Sequence, residues 1–89
     1  MIEKQVQIIN KLGLHARAAA KFVTLASKFS CDVFLTKNNQ KVNGKSIMGV
    51  MMLAASRGTA LILTASGNDE EQASEELDNL IQNRFGEGE

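Results

Sequence analysis

The chain has 89 residues, enough for one small domain with its own hydrophobic core. Ten basic and ten acidic side chains cancel at neutral pH, so the chain lacks the basic excess typical of nucleic-acid-binding proteins. Cys31 is the only cysteine and His15 the only histidine, which excludes an internal disulfide and a structural zinc site within one chain.

The N-terminal residues predict a β-strand. Apolar and polar side chains alternate there, with Lys4 as the weak point of the pattern. One face of this strand would carry Ile2, Lys4, Val6 and Ile8. The alternation is unlike a signal peptide, and no apolar run approaches the length that crosses a bilayer. We therefore expect a cytoplasmic protein without membrane insertion.

A helix is predicted after a connection that contains Gly13. Apolar residues now recur at three- and four-residue steps, which is the spacing of one helix face. The predicted core face consists of Ala16, Ala19, Phe22, Val23, Ala26 and Phe29.

The middle of the chain predicts a hairpin and a short helix. Val33 and Leu35 alternate with Asp32 and Phe34, "KNNQ" forms a turn, and Val42 begins a second strand. In "SIMGVMMLAAS" we expect one or two helical turns with Ser46 as the N-cap. An irregular buried loop is the alternative for this segment.

The last third predicts a strand and a second long helix. In "GTALILTAS", Leu61 and Leu63 share one strand face. Asp69 or Asn68 would cap the following helix, and Gly86 would end it. We expect the "GEGE" tail to fray. The buried stripe of this helix would be Ala73, Leu77, Leu80 and Ile81.

The predicted order is strand, helix, strand, strand, short helix, strand, helix. With neither repeats nor a linker, the sequence indicates a single domain over residues 1–89. A hairpin with helical crossovers on one side implies an α+β two-layer sandwich. Four mostly antiparallel strands would be covered on one face by the helices.

His15 stands where the first helical pattern begins. A lone histidine at such a position is most often a capping or surface residue. A helix N-terminus, however, presents unpaired N–H groups and the positive end of the helix dipole, which together attract anions. Gly13 permits a sharp turn, and Arg17 can offer its forked donors to a phosphate. These features favour a histidine that accepts a phosphoryl group and gives it away again.

The chemistry of such a histidine depends on other proteins. The chain has no P-loop, no Gly-rich dinucleotide motif and no Ser–His–Asp set. The phosphoryl donor and acceptor must therefore be macromolecules that bring their own catalytic groups. We expect a carrier that is not an enzyme by itself and that uses neither a cofactor nor a metal.

Two segments, "GLHARAAAKFV" and "NGKSIMGVMMLAASRGT", resemble the HPr family, the histidine phosphocarriers of the bacterial phosphotransferase system, and its nitrogen-related paralogue NPr. The similarity extends from Ile2 to about Phe85. It implies an open-faced β-sandwich of βαββαβα order. It also implies transfer of a phosphoryl group from phosphorylated enzyme I, which draws it from phosphoenolpyruvate, to EIIA-type domains. Sugar uptake and carbon or nitrogen regulation both stay open.

The resemblance also implies roles for individual residues. His15 would be phosphorylated at Nδ1, Arg17 would steady the phosphate, and the backbone N–H groups of Ala16 and Arg17 would bind it. The family usually has proline after the arginine, whereas this chain has Ala18. Proline would fix the first helical turn, so we expect a slightly less rigid site that still transfers phosphate.

Ser46 has two interpretations. In many bacteria a serine that matches this position is phosphorylated by a dedicated ATP-dependent kinase, the HPr kinase/phosphorylase, and binding to enzyme I is weakened. Phosphorylation would add about two negative charges at a helix N-terminus beside the docking face. Alternatively, Ser46 is only an N-cap. The sequence leaves both open.

The short helix is crowded with apolar residues that cannot all face one small core. We expect at least one of its methionines to be buried and the others to form an adaptable surface. The resemblance implies that partners dock on the first helix and this short helix around His15. The predicted surface consists of Ile47, Met48, Met51 and Met52, with Ala20, Thr24 and Ser27 opposite.

Two other functions are weighed against the carrier. One is an α+β module that binds a protein or ligand without chemistry, with His15 as a helix cap. The other is a metal-carrying domain, which would need more cysteines or histidines. The expected oligomeric state is a monomer.

Overall fold

The computed structural model describes residues 1–88. The observed order of strands and helices, βαββαβα, is the predicted one. The elements are β1 (Ile2–Gln7), α1 (Ala16–Ala26), β2 (Asp32–Lys37), β3 (Gln40–Asn43), α2 (Ile47–Met52), β4 (Ala60–Ser66) and α3 (Glu70–Gln82), followed by a short 3₁₀ turn (Arg84–Gly86).

The strands form one sheet in the order β1-β4-β2-β3, and each adjacent pair is antiparallel. Registered pairs on the central strands place the apolar side chains together, with Val33 opposite Ala65 and Leu35 opposite Leu63. These four residues are buried in one core with side chains of α1 and α3. The predicted α+β class and the layer of helices against an open sheet are confirmed.

The buried face of α1 differs from the predicted one. Ala16 is exposed, and Ala18 is fully buried in its place. Because successive helical residues are rotated by about 100°, the observed stripe of Ala18, Phe22 and Ala26 turns Ala16 away from the core. Phe29 is buried as predicted, but it lies beyond the end of the helix. At the start of α1, only Ala16 and Arg17 therefore face solvent, while Ala18 and Ala19 face the core.

The end of the chain also differs from prediction. Helix α3 ends at Gln82 and not at Gly86. Arg84 and Phe85 adopt left-handed backbone angles, with φ of 54° and 53°, and Phe85 is buried in the core with 1% of its surface exposed. The expected fraying is wrong for the "GEG" part of the tail, which folds back over the N-terminus of α1. Glu89 lies outside the described residues.

The N-terminus of α3 is held by a different contact from the one predicted. Asp69 occupies the N-cap position, but its side chain makes no capping hydrogen bond. Its carboxylate instead accepts hydrogen bonds from the backbone N–H groups of Ser30 and Cys31, both at 2.9 Å. Along the helix, Leu80 is only half-buried and Ser74 takes a buried position. The Ser74 hydroxyl is satisfied because it donates to the Glu71 carbonyl at 3.0 Å.

Candidate functional site

His15 occupies the N-cap position of α1. Its backbone is extended, and its carbonyl accepts the first helical hydrogen bond from the Ala19 N–H at 2.8 Å. The N–H groups of Ala16, Arg17 and Ala18 precede this bond and have no acceptor within the helix. The His15 side chain itself makes no capping hydrogen bond. His15 thus occupies the N-cap position through its backbone, and its imidazole is left for other contacts.

A short, rigid connection delivers His15 to this position. Gly13 has a φ of 70°, and a Cβ at Gly13 would lie only 2.5 Å from the Ala55 carbonyl oxygen. That carbonyl accepts a hydrogen bond from the Leu14 N–H at 2.8 Å. The buried Asn10 amide also donates to the Gly13 carbonyl at 2.8 Å. The loop thus rests directly on the backbone that follows α2, and only glycine fits at its closest approach.

The tail contributes a residue that the sequence analysis missed. One carboxylate oxygen of Glu87 contacts His15 Nε2, and the other accepts a hydrogen bond from the Asn10 side-chain amide at 2.9 Å. His15 and Glu87 are 72 residues apart, so neither periodicity nor motif spacing connects them. The one available signal was the pair of acidic residues in the tail, which composition alone assigns to a solvated end.

Neighbouring groups favour the ionised form of the Glu87 carboxylate. Partial burial disfavours the carboxylate, but hydrogen bonds from Asn10 and His15 and the attraction of His15 and Lys21 outweigh it. The net effect lowers the pKa of Glu87 below its usual value. Glu87 is therefore an anion at neutral pH, fixed against one side of the imidazole.

His15 lines a basic groove of about 650 Å³. Arg17 lines it from the first turn of α1, and both Ala16 and Arg17 are exposed. The full lining is Lys11, Leu12, His15, Ala16, Arg17, Lys21, Gly86 and Glu87. Cationic side chains and free helical N–H groups around one imidazole are suited to bind a dianionic group.

Ser46 is the N-cap of α2, as predicted. Its hydroxyl accepts a hydrogen bond from the Gly49 N–H at 3.1 Å. Ser46 is half-buried. The geometry is compatible with both interpretations of this serine.

The apolar surface predicted on α2 is exposed, and α2 contacts α1. Exposed fractions are 41% for Ile47, 68% for Met48, 40% for Met51 and 65% for Met52. The expectation that one of these methionines is buried is wrong, because Val50 and Leu53 fill the core positions of this segment. Of the residues predicted for this surface on α1, Thr24 and Ser27 are exposed and Ala20 is half-buried.

Over residues 1–88, no helix is long and apolar enough to cross a membrane. In the same range, no group of three or more histidine, cysteine, aspartate or glutamate side chains could hold a metal ion.

Known proteins resemble this chain over nearly its whole length. The family model described as the PTS HPr component phosphorylation site matches residues 2–83. The phosphocarrier protein HPr of Neisseria meningitidis serogroup A is 55% identical over 89 residues, which is 100% of both chains. A crystal structure of HPr from Thermoanaerobacter tengcongensis has a TM-score of 0.95 at 53% identity and covers 98% of each chain. A crystal structure of the HPr dimer from the same organism has a TM-score of 0.79 at 53% identity. The match covers 98% of this chain and 100% of the other.

The close approach at Gly13 makes a direct prediction about stability. Both Gly13 and Gly58 have positive φ, but a Cβ at Gly58 would meet nothing within 4 Å. Gly58→Ala should therefore cost about 1 kcal/mol from backbone strain alone. Gly13→Ala should lower the free energy of unfolding by about 1–3 kcal/mol more, because the methyl group also strikes the Ala55 carbonyl.

Denaturant unfolding of the two variants and the parent protein measures this difference. Equal losses for the two variants would show that the loop is free to move away from Ala55, and the rigid placement of His15 would be refuted.

Proposed function

Because the chain belongs to the HPr family of phosphocarriers of the bacterial phosphotransferase system, we propose that it carries a phosphoryl group on His15. Phosphorylated enzyme I, charged by phosphoenolpyruvate, is the donor, and EIIA-type domains are the acceptors. The reaction takes place in the cytoplasm, where phosphoenolpyruvate is formed. The observation that carries the proposal is a half-exposed imidazole at a helix N-terminus, bordered by a basic groove.

The site supplies a nucleophile and a cradle but no phosphate activation. Nδ1 of His15 is the nitrogen that Glu87 leaves open, and it attacks the phosphorus of the donor. The bond to the donor breaks, and its electron pair stays on the donor. The N–H groups of Ala16 and Arg17, with the Arg17 guanidinium, then bind the transferred phosphate oxygens. Partners provide the remaining catalytic groups, which fits a carrier and not an independent enzyme.

Ala18 is compatible with this role. Its methyl group is fully buried, and α1 begins regularly at Ala16. The missing proline therefore changes the rigidity of the first turn without displacing His15 or Arg17. We propose slower transfer than a proline would allow, with the carrier chemistry intact.

The exposed apolar residues of α2 and the facing residues of α1 form the proposed docking surface for enzyme I and EIIA-type domains. Methionine side chains are flexible and polarizable, so one surface can adapt to several partners. A partner bound there would cover the groove beside His15 and exclude water from the transferring phosphate. The Thermoanaerobacter tengcongensis relative has been solved as a dimer, so family membership does not favour the expected monomer.

The role of His15 is tested by mass spectrometry after incubation with phosphoenolpyruvate and enzyme I. Wild type should gain one acid-labile phosphoryl group, and His15→Ala should gain none. Arg17→Ala should be phosphorylated at the same residue but about tenfold more slowly, because a charge-assisted contact to phosphate is lost.

Asn39→Ala, on the exposed hairpin turn, serves as the control and should behave like wild type. Unmodified wild type in the presence of competent enzyme I, or a phosphorylated His15→Ala variant, would contradict the proposed function.

We further propose that phosphorylation of Ser46 by an HPr kinase/phosphorylase restrains the carrier. The new charge would stand at the edge of the docking surface, next to Ile47 and Met48. Ser46→Asp mimics it and can still cap α2. We expect this variant to accept phosphate from enzyme I about tenfold more slowly, with little change in thermal stability.

Ser46→Thr is the matched variant, because threonine keeps the capping hydroxyl without a charge. Initial rates of enzyme I-dependent phosphorylation distinguish the two interpretations. If Ser46→Asp and Ser46→Thr both react at the wild-type rate, Ser46 is an N-cap only.

A further inference from the structure

The residues after α3 form a strap, residues 83–88, that is built to return to the N-terminus of α1. Arg84, Phe85 and Gly86 all have positive φ, from 53° to 76°. Two consecutive non-glycine residues in this region carry backbone strain that surrounding contacts must offset. Burial of the Phe85 ring supplies one such contact. The other is the Lys21 ammonium group, which donates to the Phe85 carbonyl at 2.7 Å.

Both oxygens of the Glu87 carboxylate have defined partners. Asn10, which is fully buried, donates through the same amide nitrogen to Glu87 and to the Gly13 carbonyl. Glu87 is thereby tied to the loop that places His15. The Glu87 side chain is 13% exposed and that of His15 is 29% exposed. This shielding strengthens their contact relative to an ion pair in open solvent.

From this geometry we propose that Glu87 is a positioning residue for His15, an inference that rests on the proposed function. A carboxylate only accepts hydrogen bonds, so Nε2 of His15 must carry the proton that joins them. In the neutral ring this requirement leaves the lone pair on Nδ1. Glu87 thus selects the nucleophilic nitrogen and holds the ring orientation, as a carboxylate does for other reactive histidines.

The same contact balances the charges during transfer. When Nδ1 attacks phosphorus, the N–P bond forms, the bond to the donor breaks, and the imidazole becomes a phosphoimidazolium with its Nε2 proton in place. The Glu87 carboxylate stabilises that positive ring. On delivery to the acceptor the N–P bond breaks, its electron pair returns to Nδ1, and the Nε2 proton stays where it was. No proton needs to enter or leave the ring in either direction.

Imidazole ¹⁵N NMR of the unphosphorylated protein tests the contact. Wild type should show a His15 Nε2–H signal that is shifted downfield and protected from exchange with water. Glu87→Gln keeps a neutral acceptor, so its signal should persist with a smaller downfield shift. In Glu87→Ala the signal should exchange rapidly. Glu75→Gln removes an exposed acid of α3 and is the matched control, with a wild-type spectrum. An unchanged Nε2–H signal in Glu87→Ala overturns the proposal.

The lifetime of the phosphorylated protein tests the chemical consequence. The Glu87 carboxylate balances the positive charge of the phosphorylated ring, and cleavage of the N–P bond removes that charge. Without the carboxylate, spontaneous hydrolysis of the phosphohistidine should therefore be about three- to tenfold faster in Glu87→Gln and in Glu87→Ala. Equal hydrolysis rates in wild type and both variants would reduce Glu87 to a structural contact and overturn its role in transfer.

The two readouts separate this inference from the proposed function. Wild type that accepts no phosphate from enzyme I would refute the carrier, and the positioning role would fall with it. The NMR signal would still show whether Glu87 holds Nε2. Conversely, a normal carrier whose Nε2–H does not depend on Glu87 would refute the positioning role alone.

Discussion

One buried side chain amide joins the parts of this site. Asn10 has no exposed surface, and a buried amide is costly unless its donors are used. Its nitrogen donates to the Gly13 carbonyl before α1 and to the Glu87 carboxylate after α3. The loop and the strap therefore reach the N-terminus of α1 together, and His15 is set between them. The placement of the imidazole depends on the whole sheet-and-helix framework that brings these two segments into contact.

Local sequence patterns were sufficient for most of the framework. Alternation located the strands, and the capping role of Ser46 followed from its place before an apolar run. Sequence patterns were a less reliable guide to burial where tertiary packing determines which side chains face the core. Ala18 joins the shared core while Ala16 is exposed, and Phe29 is buried after its helix has ended. The methionines of α2 are all exposed because Val50 and Leu53 already fill the space beneath them.

The residues of the candidate site also differ in how far the sequence predicts them. His15, Arg17 and the free N–H groups of the first helical turn are neighbours in sequence, so a short motif predicts them together. Glu87 approaches from the far end of the chain, through a turn of left-handed residues that no propensity favours. A tail rich in glycine and glutamate resembles a disordered end, but the buried Phe85 ring, the Lys21 contact and the contacts of Glu87 with Asn10 and His15 fix it. The contact of Glu87 with His15 is therefore visible in the structure but not in any sequence motif.

The central claim is that the chain offers Nδ1 of a single histidine, held by a carboxylate at Nε2, as a phosphoryl carrier. The most direct test is ³¹P–¹⁵N correlation NMR of the protein labelled at histidine and phosphorylated by enzyme I. Phosphorus should couple to Nδ1 of His15, while Nε2 keeps its proton. Coupling to Nε2 would mean that the phosphate displaces Glu87 from His15. The arrangement of His15, Asn10 and Glu87 described above would then be wrong.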